Sequence, residues 1–520
     1  MKNIFYTFIL ACGLIGVSTS CNDWLTLYPE DKIIEDEYWN SAEDVEMMVA
    51  STYRFLLETS VLQQFVYFGE LRSDNLSSGN PNGNERAVLD EGNLLSTNSM
   101  CNWAPWYKVI NICNNVIEKA PGVQQADQNY TVADLQHHLS EVYFVRSLCY
   151  FYLIRAYGDV VPYVTMASAS DSTNYNVGPT PEREIIDNLV ALLKTAKEYA
   201  TPSYGYQSKN CGRVTKNAVR ALLADIYLWD GRYTECIAEC NEILNNPIIL
   251  TGSDLTEWQL LPRSTFFRNV FYSGNSQESI FELNLNADNG NNRSAFTSLY
   301  GNETTNPRLK PTTNVMTIYD DADARGMQYI DLKQSKIFKY VGQIAPLAET
   351  RVEAEASTYT YRSTSTANNW IIYRLADVYL MKAEALAISG QTAEDFSEAV
   401  MLCNKTYIRA HAEGVDSLDH STYTDNKSVE DLVMLERRRE FAFEGKRWFD
   451  LLRQVRREGA PTEAIVNTLV NNKYNGTLPD GITGKLSSMG YWYWPIYKDQ
   501  IDVNPQLKQN EYYQKQDSQN

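Results

Sequence analysis

The hexapeptide LADIYL at residues 223–228 recurs as LADVYL at residues 375–380. Each copy lies in a segment whose apolar residues follow helical spacing, and a second such segment begins beyond Gly231 or Gly390. Small alanines let neighbouring helices approach closely, while Leu and Tyr side chains fill the grooves between turns. The pattern therefore predicts two helix pairs of the tetratricopeptide type.

Further helices must cover these pairs, because a single pair cannot bury its apolar face alone. Helical periodicity marks three candidates, at residues 103–120, 134–157 and 182–199. The copies are unevenly spaced, which excludes an uninterrupted solenoid. We predict a mainly α fold with helical-repeat regions at residues about 101–250 and 370–458.

The remaining sequence predicts an irregular, loop-rich lobe at residues about 251–369 and 459–520. Two stretches rich in Asn, Gly and Ser, 73–102 and 273–306, are longer than ordinary connections, and loops of this length are usually either functional or disordered. Short alternating segments such as 279–285 predict minor β structure. The expected fold class is thus a tetratricopeptide-like helix-pair scaffold with an elaborated loop-rich lobe.

The N-terminus predicts export and lipid attachment. Lys2 precedes an apolar run at 4–17 and three small residues, which together are typical of a secretory signal peptide. The apolar run, about 14 residues, is shorter than the ~20 of a transmembrane helix. Cys21 follows as in a bacterial lipobox, although a plain signal peptide with an incidental cysteine is the alternative. We predict a signal peptide at 1–20 and a mature protein at 21–520, anchored through acyl chains on its first residue.

Composition narrows the classes of partner. The formal net charge of −19 and the pI near 4.8 argue against a nucleic-acid partner, whose phosphates would be repelled. The four histidines have no metal-ligand spacing, so we expect no metal and no cofactor. The cysteines beyond Cys21 are odd in number and not densely spaced, which does not suit a disulfide scaffold. Most of these should be small buried side chains: Cys101, Cys113, Cys149, Cys211, Cys236, Cys240 and Cys403.

The strongest local motif is ERRREFAFEGKRWFDL at residues 436–451. It follows VRSLCYF at 145–151 and precedes WPI at 494–496. With these motifs in this order, the chain resembles the SusD/RagB family of Bacteroidetes outer-membrane lipoproteins from end to end. The resemblance implies a SusD-like fold.

The residues of the 436–451 motif predict a structural role. On one helix, Glu436–Arg439, Arg437–Glu440 and Glu444–Arg447 would be i,i+3 ion pairs, and Lys446–Asp450 would be an i,i+4 pair. Such pairs would order the helix and fasten it to the repeats. A set of catalytic carboxylates is the sharper alternative. The signature residues are Glu436, Arg439, Glu440, Glu444, Gly445, Arg447, Trp448 and Asp450.

The resemblance implies that the chain binds oligosaccharides at the cell surface and delivers them to a SusC-like TonB-dependent transporter. It also implies a lipid-anchored outer-membrane location that faces the exterior. In that family the ligand site lies on an exposed face built partly from loops, and aromatic rings and polar side chains suit sugars. The candidate ligand-binding residues here are Asp74, Arg86, Asn102, Trp103, Trp258 and Tyr300. Trp103 could equally begin the core of its helix, and Asp74 and Asn102 could cap turns.

Two alternative functions stay open. Some relatives of this type bind oligopeptides, and aromatic, Asn-rich loops would serve them as well. A surface glycoside hydrolase would need a pair of carboxylates, and 65 acidic residues leave such a pair open. No HExxH, P-loop or nucleophile-elbow pattern appears. Because the resemblance is to a non-catalytic family, we expect a binding protein and not an enzyme.

Overall fold

The computed structural model describes residues 38–80, 83–168, 176–247, 258–285, 295–363, 368–474 and 478–517. The predicted signal peptide and the predicted anchor at Cys21 lie outside the described residues. None of the helices in these ranges is both long and apolar enough to cross a membrane.

Helices dominate the described residues, which confirms the predicted fold class. The first nine are α1 Ala42–Leu56, α2 Thr59–Val66, α3 Asn84–Leu89, α4 Ala104–Ala126, α5 Val132–Tyr157, α6 Glu182–Tyr199, α7 Gln207–Gly212, α8 Lys216–Trp229 and α9 Tyr233–Asn245. The next five are α10 Arg263–Phe267, α11 Ala295–Tyr300, α12 Thr313–Thr317, α13 Ala324–Gln328 and α14 Arg351–Ala356. The last eight are α15 Leu375–Ser389, α16 Ala393–Ala410, α17 Asn426–Phe441, α18 Arg447–Arg457, α19 Glu463–Lys473, α20 Ile482–Leu486, α21 Lys498–Val503 and α22 Glu511–Asp517.

The two copies of the repeated hexapeptide lie in α8 and α15, and each begins a helix pair, as predicted. Side-chain caps fix helix starts within both pairs: Thr215 accepts a hydrogen bond from the amide of Ala218 in α8, and Thr392 accepts one from the amide of Asp395 in α16. The pairs stack directly, since α9 packs against α15. Helices α4, α5 and α6 extend the stack beside α8, and α17 covers α15 and α16.

The β structure is minor, as predicted, and consists of two-residue to five-residue strands. They are β1 Leu76–Ser78, β2 Ser279–Leu283, β3 Leu309–Pro311, β4 Ile330–Asp331, β5 Lys336–Ile337, β6 Gly342–Ile344, β7 Thr360–Tyr361 and β8 Trp370–Arg374. Four antiparallel pairs form: β1 with β3, β2 with β8, β4 with β5, and β6 with β7. Strands β2 and β8 are buried throughout, and β8 leads directly into α15. This pair joins the predicted lobe to the repeats.

The core is continuous across the repeats and the lobe. One large apolar cluster includes residues from α1 to α22, and a second lies among α15, α16 and α17. All seven cysteines in the described residues are buried and unpaired, which confirms the prediction for them. The described residues of the segment predicted to be irregular, 459–474 and 478–517, contain four short helices, α19 to α22. Their brevity leaves little periodic signal in the sequence.

The 436–451 motif forms two helices with a turn between them, and the predicted single helix is wrong. Helix α17 ends at Phe441 and α18 begins at Arg447. Between them Phe443 and Gly445 adopt φ angles of 68° and 71°. None of the four predicted intrahelical ion pairs forms in this described segment, because the break directs the charged side chains toward other elements.

Gly445 lies directly against the π-helix Tyr67–Leu71, which continues α2. A Cβ atom on Gly69 would lie 1.7 Å from the carbonyl oxygen of Gly445. A Cβ atom on Gly445 would lie 2.6 Å from the carbonyl oxygen of Phe65. The two backbones therefore touch, and a side chain at either position requires the backbone to move.

We predict that Gly69→Ala lowers the free energy of unfolding by about 3 kcal/mol, because the added carbon overlaps the Gly445 carbonyl. Gly122→Ala is the matched control. Gly122 lies inside α4 with no atom within 4 Å of an added Cβ, so its replacement should be neutral or stabilising by up to about 1 kcal/mol. Urea unfolding of both variants measures the difference, and equal effects would contradict the close approach.

Long-range buried ion pairs hold the motif in place. The Glu440 carboxylate accepts hydrogen bonds from Arg374 at 2.6 Å, Arg325 at 3.1 Å and Arg409 at 2.5 Å. These guanidinium groups belong to β8, α13 and α16. Since none of the four side chains is more than 5 % exposed, water contributes little to their solvation. Each of these four charges is therefore stabilised mainly by its charged partners.

Neighbouring acids of the motif bind further remote partners. Glu444 binds Arg374 and Lys339, each at 2.7 Å. Glu436 binds Arg325 at 2.6 Å. The other contacts of the motif are Arg437 and Arg453 with Asp450, Arg447 with Asp74, Lys446 with Asp377, the Arg439 Nε atom with the Ile318 carbonyl, and the Trp448 ring stacked on Trp492. The motif therefore stabilises the fold, but through contacts with residues that are distant in sequence.

We predict that Glu440→Gln lowers the free energy of unfolding by about 3–5 kcal/mol, because it leaves three buried guanidinium groups short of a negative charge. Asp431→Asn is a matched control on the same helix, since Asp431 pairs with Lys427 at an exposed position. Its loss should change stability by less than about 1 kcal/mol. Similar losses in the two variants, measured by urea unfolding, would show that the buried pairs contribute no more than a surface pair.

The same ion pairs predict a loss of stability in acid. Burial by itself would raise the pKa of Glu444, but Arg374 and Lys339 outweigh burial and hold this pKa at about 2. A carboxyl with a lowered pKa stabilises the fold above its ordinary pKa, and this contribution disappears as the pH falls toward the folded-state value. The free energy of unfolding should therefore fall between about pH 5 and pH 2, and less steeply in Glu444→Gln. Urea unfolding at several pH values gives both slopes, and identical slopes would contradict the assignment.

Candidate functional site

The first Asn/Gly/Ser-rich stretch, 73–102, contacts the chain just beyond the second one, 273–306. Strand β1 pairs with β3 in antiparallel register, with Leu76 opposite Pro311. The pairing extends beyond the strands, because the Gly79 amide donates to the carbonyl of Arg308 at 2.8 Å. We call the surface formed by residues 79–80, 83–86 and 301–308 the loop junction.

A connected set of polar side chains supports the loop junction from below. Glu85 accepts a hydrogen bond from the Tyr67 hydroxyl at 2.8 Å and also binds Arg308. Glu85 and Tyr67 are buried, whereas the Arg308 side chain is 32 % exposed. Burial, with a smaller contribution from Glu85, raises the pKa of Tyr67 well above its ordinary value. Tyr67 is therefore a neutral donor at any physiological pH, and Arg308 brings a positive charge to the surface.

The 301–308 side of the loop junction has a shape fixed by Asn302. Its side-chain oxygen accepts hydrogen bonds from the amides of Thr304 at 3.0 Å and Thr305 at 2.7 Å, and its carbonyl accepts one from Lys336 at 2.9 Å. Four residues in a row are consequently held exposed: Glu303, Thr304, Thr305 and Asn306. Their hydroxyl and amide groups can donate and accept hydrogen bonds, as the hydroxyl groups of a sugar require.

Arg86 is the predicted ligand residue that lies in the loop junction. Its side chain is exposed beside Glu85 and lies 3.8 Å from Asp90 and 3.7 Å from Glu91. Trp258 is half-buried elsewhere, where its indole N–H donates to the carbonyl of Gln277.

Asn102 and Trp103 lie at the start of α4. The Asn102 side-chain oxygen accepts a hydrogen bond from the amide of Ala104 at 2.9 Å, so it closes the turn that leads into the helix. Trp103 is buried, and its ring contacts those of Tyr107 and Tyr157. Asn102 therefore has the turn-capping position, and Trp103 the core position, that were the alternatives to ligand binding.

Asp74 and Tyr300 are fully buried. Asp74 lies between Arg438 and Arg447. Burial by itself would raise the pKa of Asp74, but the two guanidinium groups outweigh burial and hold this pKa well below its ordinary value. The Tyr300 hydroxyl donates to the carbonyl of Phe443 at 3.1 Å. The structure thus distributes the six predicted residues over several environments. Ligand contact stays a prediction for Arg86, Asn102 and Trp258, whose side chains reach solvent.

Several residues of the loop junction carried no recognisable signal in the sequence. Tyr67, Glu85 and Arg308 converge from positions up to 241 residues apart, and Gln63 donates to Ser298 across 235 residues. An alignment that showed joint variation of such pairs could have found them. Within the described residues, no group of three or more His, Cys, Asp or Glu side chains is arranged to hold a metal ion.

Two family models match the chain. Residues 346–513 match a model described as the SusD family, and residues 23–228 match a model described as "Starch-binding associating with outer membrane". Together they include both hexapeptide copies, the 436–451 motif and the first side of the loop junction.

Curated relatives match along almost their whole length. SusD-like protein P38 of Formosa agariphila is 25% identical over 550 residues, which covers 98% of this chain and 99% of the relative. A SusD-like protein of Bacteroides ovatus is 23% identical, with coverage of 89% of this chain and 84% of the relative.

Solved structures show the same fold at low sequence identity. A SusD superfamily protein from Bacteroides vulgatus has a TM-score of 0.71 at 20% identity, and covers 91% of this chain and 99% of that one. A SusD homolog from Bacteroides thetaiotaomicron has a TM-score of 0.68 at 23% identity, with coverage of 92% and 99%. The mainly helical architecture with minor β structure is therefore a known one.

Proposed function

Because the chain belongs to the SusD/RagB family, we propose that it captures glycan oligomers at the bacterial outer membrane and delivers them to a SusC-like TonB-dependent transporter. The observation that carries the proposal is the family match over 23–228, whose model is described as starch-binding and associated with the outer membrane. The second match, over 346–513, extends the likeness to the other half of the chain.

We place the glycan at the loop junction. Its exposed row of hydroxyl and amide groups, with the Arg308 guanidinium beside it, suits the many hydroxyl groups of a neutral oligosaccharide. The row is held by Asn302 and by the β1–β3 pairing. A preformed surface loses less conformational entropy on binding than a loop that must first become ordered.

The proposed location is the exterior face of the outer membrane, with acyl chains on Cys21 as the anchor. The family description supports association with the outer membrane. Several acyl chains, at ~0.8 kcal/mol for each buried methylene, would hold the protein stably. Metabolic labelling with a palmitate analogue tests the anchor, and loss of the label in Cys21→Ser is the expected result.

The proposed activity is binding without catalysis. The acids of the 436–451 motif, the first place to look for catalytic carboxylates, are buried and bound to basic side chains. Such carboxylates stabilise the fold and are not accessible to a glycosidic bond. A peptide ligand is the alternative within the same family.

We predict that the double variant Thr305→Val and Asn306→Leu binds glycan about thirty times more weakly, because two lost hydrogen bonds are worth about 1 kcal/mol each. The matched control carries the same two substitutions at the exposed residues Thr468 and Asn467. It should keep the affinity of the unsubstituted protein.

The measurement is isothermal titration calorimetry on protein starting at Asn22, after a screen of starch oligosaccharides, other polysaccharide fragments and a peptide mixture. Saturable binding of one glycan class without product release is the expected result. Binding of peptides alone would overturn the glycan proposal, and release of cleaved sugar would overturn the binding-only proposal. Equal weakening by both double variants would remove the ligand from the loop junction.

A further inference from the structure

Three helices near the motif enclose a cleft that shares no residue with the loop junction. The cleft has a volume of about 590 Å³ and lies among α17, α18 and α19. One face of each helix lines it: Glu430, Met434 and Arg438 are four residues apart on α17. Ligand sites in proteins have volumes of about 300–1,000 Å³, so the cleft is large enough for a small molecule.

The floor of the cleft carries two guanidinium groups on one carboxylate. Arg447 donates to Asp74 through Nε at 2.9 Å and through Nη2 at 3.2 Å. Arg438 lies 3.3 Å from the same carboxylate. Within the described chain, Asp74 is the one acidic side chain in hydrogen-bonding range of either group. The positive charge at the floor is therefore only partly compensated.

Arg447 keeps an unused donor at this floor. Its two hydrogen bonds to Asp74 come from Nε and Nη2. The third nitrogen, Nη1, has no hydrogen-bond partner in the part of the chain that the structure describes. The residue is 8 % exposed and lines the cleft. A guanidinium nitrogen that has no protein partner at the cleft favours a negatively charged ligand atom, because charge-assisted hydrogen bonds are stronger than neutral ones.

The walls of the cleft are aliphatic. Leu435 is 37 % exposed, although it is apolar, and Leu451 and Ile465 lie opposite on α18 and α19. Among the described residues, no aromatic side chain lines the cleft, so these residues offer no flat ring to stack on a sugar. The walls consequently suit a branched aliphatic group better than a neutral glycan.

The mouth of the cleft carries one more acid than base, because Glu458 also lines it and shares Arg457 with Glu430. Arg457 pairs with Glu430, and Lys427 pairs with Asp431. An anion would therefore have its most favourable electrostatic interactions at the floor of the cleft. The side chains of Gln454 and Thr468 also line the cleft and offer neutral hydrogen-bonding groups.

We propose that this cleft is a second binding site, which takes a small carboxylate attached to a branched aliphatic group. The carboxylate would accept a hydrogen bond from Nη1 of Arg447 at the floor, and the aliphatic group would pack against Leu451 and Ile465. Arg438 would contribute its charge alone, since its Nε and Nη2 atoms already donate to Asn75, Asn314 and the Asp74 carbonyl. A free branched-chain acid and the C-terminal residue of a peptide share this chemistry. The site is independent of the proposed glycan surface, so each can fail without the other.

The test uses N-acetyl-L-leucine as the probe and protein starting at Asn22, and binding is followed by calorimetry or NMR titration. N-acetyl-L-leucinamide is the control ligand, since it has the same aliphatic group without the carboxylate. We expect saturable binding of the acid and at least about tenfold weaker binding of the amide. 4-Methylpentanoate identifies the source: equal binding of this acid indicates a free acid, and markedly weaker binding indicates a peptide C-terminus.

Thr468→Trp locates the site, because the large ring at an exposed position of α19 fills the cleft without changing the core. Asn467→Trp is the matched control on the same helix, at an exposed residue that does not line the cleft. We expect binding of the acid to weaken at least about tenfold in the first variant and to stay unchanged in the second. Absence of saturable binding, equal binding of the amide, or unchanged binding in Thr468→Trp would each overturn the proposal.

Discussion

The structure depends on the ion pairs that Arg374 forms with Glu440 and Glu444. Arg374 ends β8 at the start of α15, and the two acids lie at the end of α17 and in the turn that follows. Taking such charges out of water is costly unless each one is paired and hydrogen-bonded. The observed arrangement of helices and strands satisfies them together with Arg325 and Arg409. The network therefore favours this packing of β8 and α13 against α16 and α17, whatever it adds to net stability.

The functional surfaces are built outward from this network. The turn after α17 presses Gly445 against Gly69, and the buried carboxylate of Glu70 accepts hydrogen bonds from the amides of Phe443 and Lys446 at 3.1 Å. The chain beyond Glu70 passes Asp74 at the floor of the cleft and enters β1 at the edge of the loop junction. A single segment thus connects the charged centre to both proposed binding surfaces.

Local features of the fold were predictable and distant contacts were not. The LADIYL and LADVYL copies predicted two helix pairs correctly, because helical periodicity can be recognised from residues that are close in sequence. The 436–451 motif was correctly given a structural role, but its ion pairs were assigned within one helix, whereas Arg374 and Arg325 lie 66 and 115 residues from Glu440. Asp74 and Tyr300 look like ligand residues in an Asn-rich sequence, and only tertiary packing buries them. Tyr67, Glu85 and Arg308 meet through a strand pairing that no local pattern encodes.

Hydrogen exchange of backbone amides, measured with and without bound glycan, tests most directly whether a scaffold fixed by buried charges holds a glycan-binding loop surface. We predict that amides of α17 and β8 exchange only through global unfolding, at the same free energy. Glycan should then slow exchange at residues 83–86 and 301–308 beyond its effect on the rest of the protein. Opening of α17 at a lower free energy than β8, or slowed exchange confined to other surfaces, would contradict these predictions.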